Sequence, residues 1–470
     1  PGNIALQRDL ARAYLAASLP QEAAQVAENT LDMAPDDAAN LDWFAETMLK
    51  VGQPERAEEA LSASVRLNPE NPEILLRLAQ VQLQNGKTDE VRATLHPLAS
   101  EHGIGTAILR QVAYMYLRME DLAAALSCME RAAHSQTKPD ADLLFDLARL
   151  YDQSGDTAEA LEVIRTAVDE PAKDARIFMY YADLLNRNNQ GSGAHAALEK
   201  ALVLAQNESA GQRVALEAEI YRLMASGMID SGSMVAALEN AEKALERSPD
   251  DIVLRAQTAE LSLALLKFEA ARSLSQLPAA EKSIGTSRGA KLALISAEAA
   301  LECGDMDEAI SAWEECVGDP GWKTWQMAIE ARLDARGGDW VRAEEIARKA
   351  ISRAQGSEQE EIDQLLWAGK AAIEAGLWEE GLNALQSYLD QYPLEPRGPF
   401  ELGKALVLCA ERERDCRELN CTAHAPGPEA LSDTTHSRFK TQMEQAIMAT
   451  QSPDAIRWLS RGEVAFSPSL

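Results

Sequence analysis

The chain has 470 residues, of which 46% are apolar, only 5% aromatic and 26% charged, a balance that suits many amphipathic Ala/Leu/Glu helices and suits a β-sandwich or barrel badly. Lys plus Arg number 45 against 75 Asp plus Glu, a net charge of −30, which repels phosphate backbones and anionic lipid and argues against nucleic acid and membrane surfaces as partners. No apolar run approaches the ~20 residues of a transmembrane helix, and the opening residues lack the basic-then-apolar layout of a signal peptide.

Along the chain the first regularity starts at Ala11 and returns at Ala45, Ala79 and Ala113 by steps of 34, then at Ala148 and Ala182. Ala225, Ala259, Ala297, Ala331, Gly369 and Gly403 continue it, with the longer steps falling between units. A second column of small or β-branched residues follows twelve residues behind the first, from Ala23, Ala57 and Val91 to Ala343 and Gly381. Between the two, Gly52, Gly86, Gly155, Gly232, Gly304, Gly338 and Gly376 recur where a tight αα-turn needs positive φ. Each period therefore predicts helix, turn, helix. The small columns mark where the paired helices cross, since a large side chain there would hold the backbones apart. Large apolar residues keep helical spacing around them, as with Leu75, Leu78, Leu83 and Leu95. One pair cannot bury such a stripe alone, so neighbouring pairs must stack.

With Tyr14, Tyr116 and Tyr151 in first helices, and Pro35, Pro69, Pro249 and Pro393 each closing a second helix ten residues before the next column member, the pattern resembles the tetratricopeptide repeat family. Ala38 to Pro69 is the clearest copy. The resemblance implies an all-α helix-turn-helix solenoid, a right-handed superhelix of about twelve repeats. Residues 1–410 are expected to hold repeats one to eleven and the first helix of the twelfth; 411–437, with Cys416, Cys421, Pro426 and Pro428, an inserted mobile loop; and 438–470 the delayed second helix and the first helix of a further repeat. Pro1 at the closing-proline offset from Ala11, and Pro453, Ala455, Trp458 and Gly462 at the other end, lead to the expectation of a segment of a longer protein. The pattern departs from the family where Asn189 and Leu266 replace the turn glycine.

Little chemistry is visible. Cys416, Cys421 and His424, flanked by Cys409 and His436, leave three readings open: a zinc site, a Cys416–Cys421 disulfide, or free thiols, the last being the expectation because the spacing is loose for zinc. Cys128 and Cys316 lie among apolar helical neighbours and read as structural thiols. Six sparse cysteines favour a reducing, cytoplasmic compartment. Neither a phosphate loop nor a His-Glu-x-x-His nor a nucleophile elbow occurs, so no enzyme and no cofactor is expected.

What remains is surface. The resemblance implies that first helices line a concave face, where it places Arg110, Tyr114, Arg118, Phe145, Arg149, Met179, Arg187 and Arg222. These are cationic and apolar anchors in an acidic molecule, the residue types that carry interface energy. Trp322 and Trp325 are further candidate anchors, whereas Trp313, Trp340 and Trp378 read as packing. The function expected is a non-catalytic protein- or peptide-binding scaffold that takes an extended segment or a helix. Two alternatives stay open: a sensor arm controlling an attached catalytic domain (a caspase-like protease, a nucleotide-hydrolysing switch or a glycosyltransferase), and an envelope scaffold for polysaccharide synthesis or export.

Overall fold

A computed structural model describes residues 4–101, 103–169, 174–276, 287–316, 322–356, 363–393, 395–418 and 432–466. Among these there are 25 α-helices and no β-strand. The chain divides into two compact units, Pro1–Asn188 and Asn189–Leu470.

The first unit comprises α1 (Ile4–Ala16), α2 (Pro20–Met33), α3 (Ala38–Val51), α4 (Pro54–Leu67), α5 (Pro72–Gln84), α6 (Thr88–Ser100), α7 (Thr106–Arg118), α8 (Leu122–His134), α9 (Ala141–Ser154), α10 (Thr157–Asp169) and α11 (Ala175–Arg187). Sequence sets the ends of these helices. Pro20, Pro54 and Pro72 open helices at positions whose amide has no intrahelical acceptor. Asp37, Asn71, Asp121, Asp140 and Asp174 accept hydrogen bonds from first-turn amides. The turn column has positive φ as expected, 80° at Gly52 and 90° at Gly155, and its non-glycine members Ser18 and Glu120 are held at 58° and 59°. Both small columns are sealed: Ala79, Val91, Ala113 and Ala125 are fully buried, and Leu95, Leu109, Met129 and Leu143 pack around them.

The second unit comprises α12 (Gly191–Ala205), α13 (Ala210–Asp230), α14 (Met234–Arg247), α15 (Ile252–Ala264), α16 (Phe268–Ser275), α17 (Ser287–Cys303), α18 (Met306–Cys316), α19 (Lys323–Gly337), α20 (Trp340–Gly356), α21 (Gln364–Glu374), α22 (Trp378–Gln391), α23 (Arg397–Glu418), α24 (Asp433–Thr450) and α25 (Pro453–Ala465). Its largest core runs from Ala259 to Ala465, and the turn between α24 and α25 and helix α23 meet the turn between α15 and α16 and helix α16. The Ser452 hydroxyl donates to the Leu266 carbonyl at 3.2 Å, and the rings of Phe268 and Phe400 lie 6.3 Å apart. At Leu266, φ of 59° fills the turn-glycine slot with a fully buried side chain, so packing there outweighs the ~1–2 kcal/mol cost of the left-handed conformation.

Two boundaries differ from the sequence expectation. Helix α23 continues to Glu418, past the expected loop start, since Cys409, Ala410 and Glu413 are buried on it and Arg461 of α25 clamps Glu411 at 2.7 and 2.5 Å. Helix α24 starts at Asp433, capped by the Ser432 hydroxyl, rather than at Arg438. Opposite Gly403, where the period predicts a small residue at position 415, stands Met443, whose Cε would lie 2.7 Å from a Cβ on Gly403. Residues 419–431, and with them Cys421 and His424, lie outside the described residues, as does the Cys416 side chain.

Candidate protein-interaction site

On the first unit the expected concave-face residues fall into two groups. Arg110 reaches the Asp146 carboxylate at 2.6 Å, and the Tyr114 hydroxyl donates to the same carboxylate at 2.5 Å. Arg187 grips Asp152 through two hydrogen bonds of 2.9 and 2.8 Å and also meets Asp183 at 3.0 Å. The hydrogen bond from Arg187 holds the Asp152 carboxyl below the usual carboxylate range. Further along the face Arg77 pairs with Asp42 in the same way. These cations are matched by carboxylates on a neighbouring first helix, the following one for Arg110 and the preceding one for Arg187 and Arg77.

Arg118 and Arg149 form the other group. Both are exposed, and neither has an ion-pair or hydrogen-bond partner among the described residues. Arg149 lies over the Phe145 ring at 5.7 Å, and Phe145 meets the Tyr180 ring edge-on at 5.5 Å. Met179 is half-buried beside them in sequence. The first unit therefore offers two available guanidinium groups, that of Arg149 lying over an aromatic ring. Arg222 belongs to the second unit, where Glu219 holds it at 2.7 and 2.5 Å.

In the second unit the corresponding positions of the last four repeats are filled by charge. Arg332, with 1% of its side chain exposed, contacts Glu298 at 2.8 Å, Glu302 at 2.7 Å and Glu374 at 2.8 Å. Lys370 meets Glu298, Glu302 and Glu401 at 2.5, 2.9 and 2.8 Å. Lys404 meets Glu302 at 2.7 Å, and Arg336 meets Glu374 at 2.8 Å. Four carboxylates are thus balanced by four cations. Burial alone would raise the Glu298 carboxyl, but the charges of Arg332 and Lys370 overcome it and hold it at about 2. Glu302 is likewise held well below the usual range, with Lys370 and Lys404 offsetting its burial.

Sequence reading missed this cluster, although its signal was present. One and five residues after Ala297, Ala331, Gly369 and Gly403 stand Glu298 and Glu302, Arg332 and Arg336, Lys370 and Glu374, and Lys404. Those are the groove offsets, the positions that Tyr114 and Arg118 hold after Ala113, and they place two acids in one repeat against two bases in the next.

The tryptophans sit at one end of the cluster. Trp325 is 3% exposed, stacks on Trp367 at 4.5 Å and donates its indole N–H to Glu298 at 3.3 Å. Trp322 is half-buried and meets both rings edge-on at 6.3 and 6.4 Å. Trp313 packs against the core, donating to the Gln326 carbonyl at 3.3 Å, and Trp378 packs beside Leu385 and Tyr388. Trp340 corrects the packing expectation: it is 53% exposed in the first turn of α20, although Ala343, one turn further on, is fully buried.

The tetratricopeptide repeat family matches at residues 48–103, at 113–176 and 145–212, and at 365–394. These stretches of the chain are tetratricopeptide repeats. Arrays of this kind are protein-interaction scaffolds, and among the described residues no helix is long and apolar enough to cross a membrane. Cellulose synthase operon protein C of Xanthomonas axonopodis pv. citri (strain 306) is 25% identical over 228 residues, which cover 46% of this chain and 15% of that protein. The chain thus spans a small part of that relative. Among solved structures, the C-terminal part of a TPR repeat-containing protein from Cytophaga hutchinsonii is 10% identical with a TM-score of 0.43, covering 52% of this chain and 96% of that one. Pseudomonas aeruginosa pilF is 20% identical with a TM-score of 0.37, covering 47% and 95%. Yeast Tom70 is 13% identical with a TM-score of 0.35, covering 98% and 95%.

Proposed function

We propose that this tetratricopeptide array is a non-catalytic scaffold whose first unit holds an acidic, hydrophobic-spotted segment of a protein partner on the face carrying Arg118, Arg149 and Phe145. The observation that supports it most is the contrast between arginines. Arg110 and Arg187 are spent on Asp146 and Asp152, while Arg118 and Arg149 stand exposed without an ion pair among the described residues. In a molecule of net charge −30, two unmatched guanidinium groups, one of them over the Phe145 ring, attract carboxylates that the rest of the surface repels. A short Glu/Leu-rich fluorescent peptide tests it. Arg118→Ala with Arg149→Ala is expected to weaken binding by at least roughly tenfold, about 1.4 kcal/mol, without changing the melt, and binding should weaken as salt is raised. Equal binding by variant and parent removes this face from the account.

A second reading places the scaffold in polysaccharide synthesis or export. The match to a protein named for a cellulose synthase operon favours it. Cells lacking the protein should then lose surface polysaccharide, and unchanged polysaccharide in such cells discards the reading.

A further inference from the structure

We propose that the second unit carries a separate binding site: a cavity of about 480 Å³ beside Trp322, Trp325 and Trp367, which takes a large uncharged apolar side chain, of the Leu, Met or Phe class, presented by a protein partner. The inference rests on the reading of the chain as an interaction scaffold, but not on the arginine face of the first unit.

One wall is built from α13 to α15, where Ile229, Met234, Leu254, Leu261, Leu263 and Ala264 face the space. The opposite wall is the indole cluster. Trp322 has φ of 55°, a conformation that a bulky non-glycine residue adopts only when its surroundings impose it. Contacts with Trp325, with Trp367 and with the Lys291 ammonium 5.0 Å from its ring supply that constraint. A strained backbone thus presents a half-exposed indole to a cavity with mostly apolar lining.

Charge around the cavity decides the class of occupant. Arg397 is held by Asp363 at 2.8 Å and Glu395 at 2.7 Å, Glu260 by Lys291 at 2.7 Å, and Arg222 by Glu219 at 2.5 Å. Every charged group on the lining already holds an oppositely charged partner, Asp363 and Glu395 sharing Arg397, so a charged guest would lose its hydration and meet only groups already engaged in ion pairs, which is unfavourable. A sugar needs several polar partners in the plane of its ring, and the uncharged polar side chains on the lining are Ser226 and Gln257. An apolar side chain requires neither and gains by leaving water.

The full chain is to be titrated with N-acetyl-leucinamide and N-acetyl-phenylalaninamide, with N-acetyl-lysinamide, N-acetyl-glutamate amide and cellobiose as parallel arms, read by saturation-transfer NMR and tryptophan emission. Saturable binding is expected for the two apolar amides alone. Ser226→Trp, which fills the space from an exposed position, and Ile229→Glu, which charges its wall from another, should each lower that affinity by at least about tenfold with the melt retained. Arg118→Ala with Arg149→Ala should leave it unchanged, so that failure here and failure of the arginine face are read apart. Saturable binding of the lysine amide, the glutamate amide or cellobiose with the apolar amides silent overturns the proposal, as does no binding in any arm, or apolar binding indifferent to both variants.

Discussion

Arg332 and Glu298 face each other at 2.8 Å across neighbouring first helices with 1% and 4% of their side chains exposed. Glu298 also binds Lys370 and Trp325, so one carboxylate ties α17, α19 and α21 together. Buried ions at such depth are tolerated only when balanced, and removing one partner leaves a desolvated charge that costs ~3–5 kcal/mol. Glu298→Gln and Lys370→Met should each lower the stability of the second unit by about that order. The double variant, which restores neutrality, should cost clearly less than the sum of the two. Strict additivity in chemical denaturation would show that the network is not coupled.

Acid should strike the second unit through the same carboxylates. Glu298 is held at about 2 and Glu302 and Glu374 below their ordinary value of 4.5. A depressed carboxyl stabilises the folded state fully above its unfolded value, and that contribution drains away as pH falls through the folded value. The window is therefore pH 4.5 down to about 2, with Glu298 alone contributing on the order of 3 kcal/mol. Emission from Trp325 and Trp367 should report loss of structure in this window. In Glu298→Gln the acid dependence should be shallower; an unchanged profile would place the acid sensitivity elsewhere.

Turns give a prediction of opposite sign. Glu120 has φ of 59° at an exposed position where other repeats carry glycine. Relieving the left-handed strain is worth ~1 kcal/mol, so Glu120→Gly should raise the melting temperature of the first unit. The same change at Leu266 should lower it for the second, because Leu266 is 1% exposed and packs in the core. If both substitutions acted alike, turn strain and core packing would not be the separate quantities assumed here.

Those two residues also show what sequence can disclose. Spacing alone placed Ala11 to Gly403 and the turn positions, because a helix crossing tolerates only small side chains and a tight αα-turn only positive φ, constraints that act locally and repeat. The buried charge of Glu298, Arg332 and Lys370 obeyed the same offsets but not the usual rule that charge means surface. Whether a concave face is open or filled depends on how tightly the repeats curl, which no single period encodes. Arg118 and Arg110 illustrate the limit from the other side: both occupy groove offsets, yet only Arg110 meets an Asp, since pairing depends on which carboxylate the next helix presents.

The register itself is tested at Ala79, fully buried where α5 crosses α6. Leucine there would have to separate the helices or leave its rotamer, a cost of ~1–3 kcal/mol. Glu90→Leu, at an exposed site on α6, should change stability by less than ~0.5 kcal/mol. Equal effects on the thermal melt would mean that the columns do not mark the crossings.

A stronger steric test lies at the far end of the second unit, between Gly462 and Phe439. A Cβ on Gly462 would stand 2.0 Å from Cζ and 2.3 Å from Cε1 of the Phe439 ring. The ring has little room to retreat, being fully buried and stacked on Phe466 at 5.4 Å and His436 at 6.4 Å. Gly462→Ala should therefore push α25 off α24 and cost at least ~1–3 kcal/mol, loosening also the Ser452 link to Leu266. Phe439→Leu, which shortens the ring, should rescue much of that loss in the double variant even though it is destabilising alone. A melt unaffected by Gly462→Ala would show that α25 does not dock on α24 as a further first helix, and the core that joins α25 to α15 and α16 would need another closure.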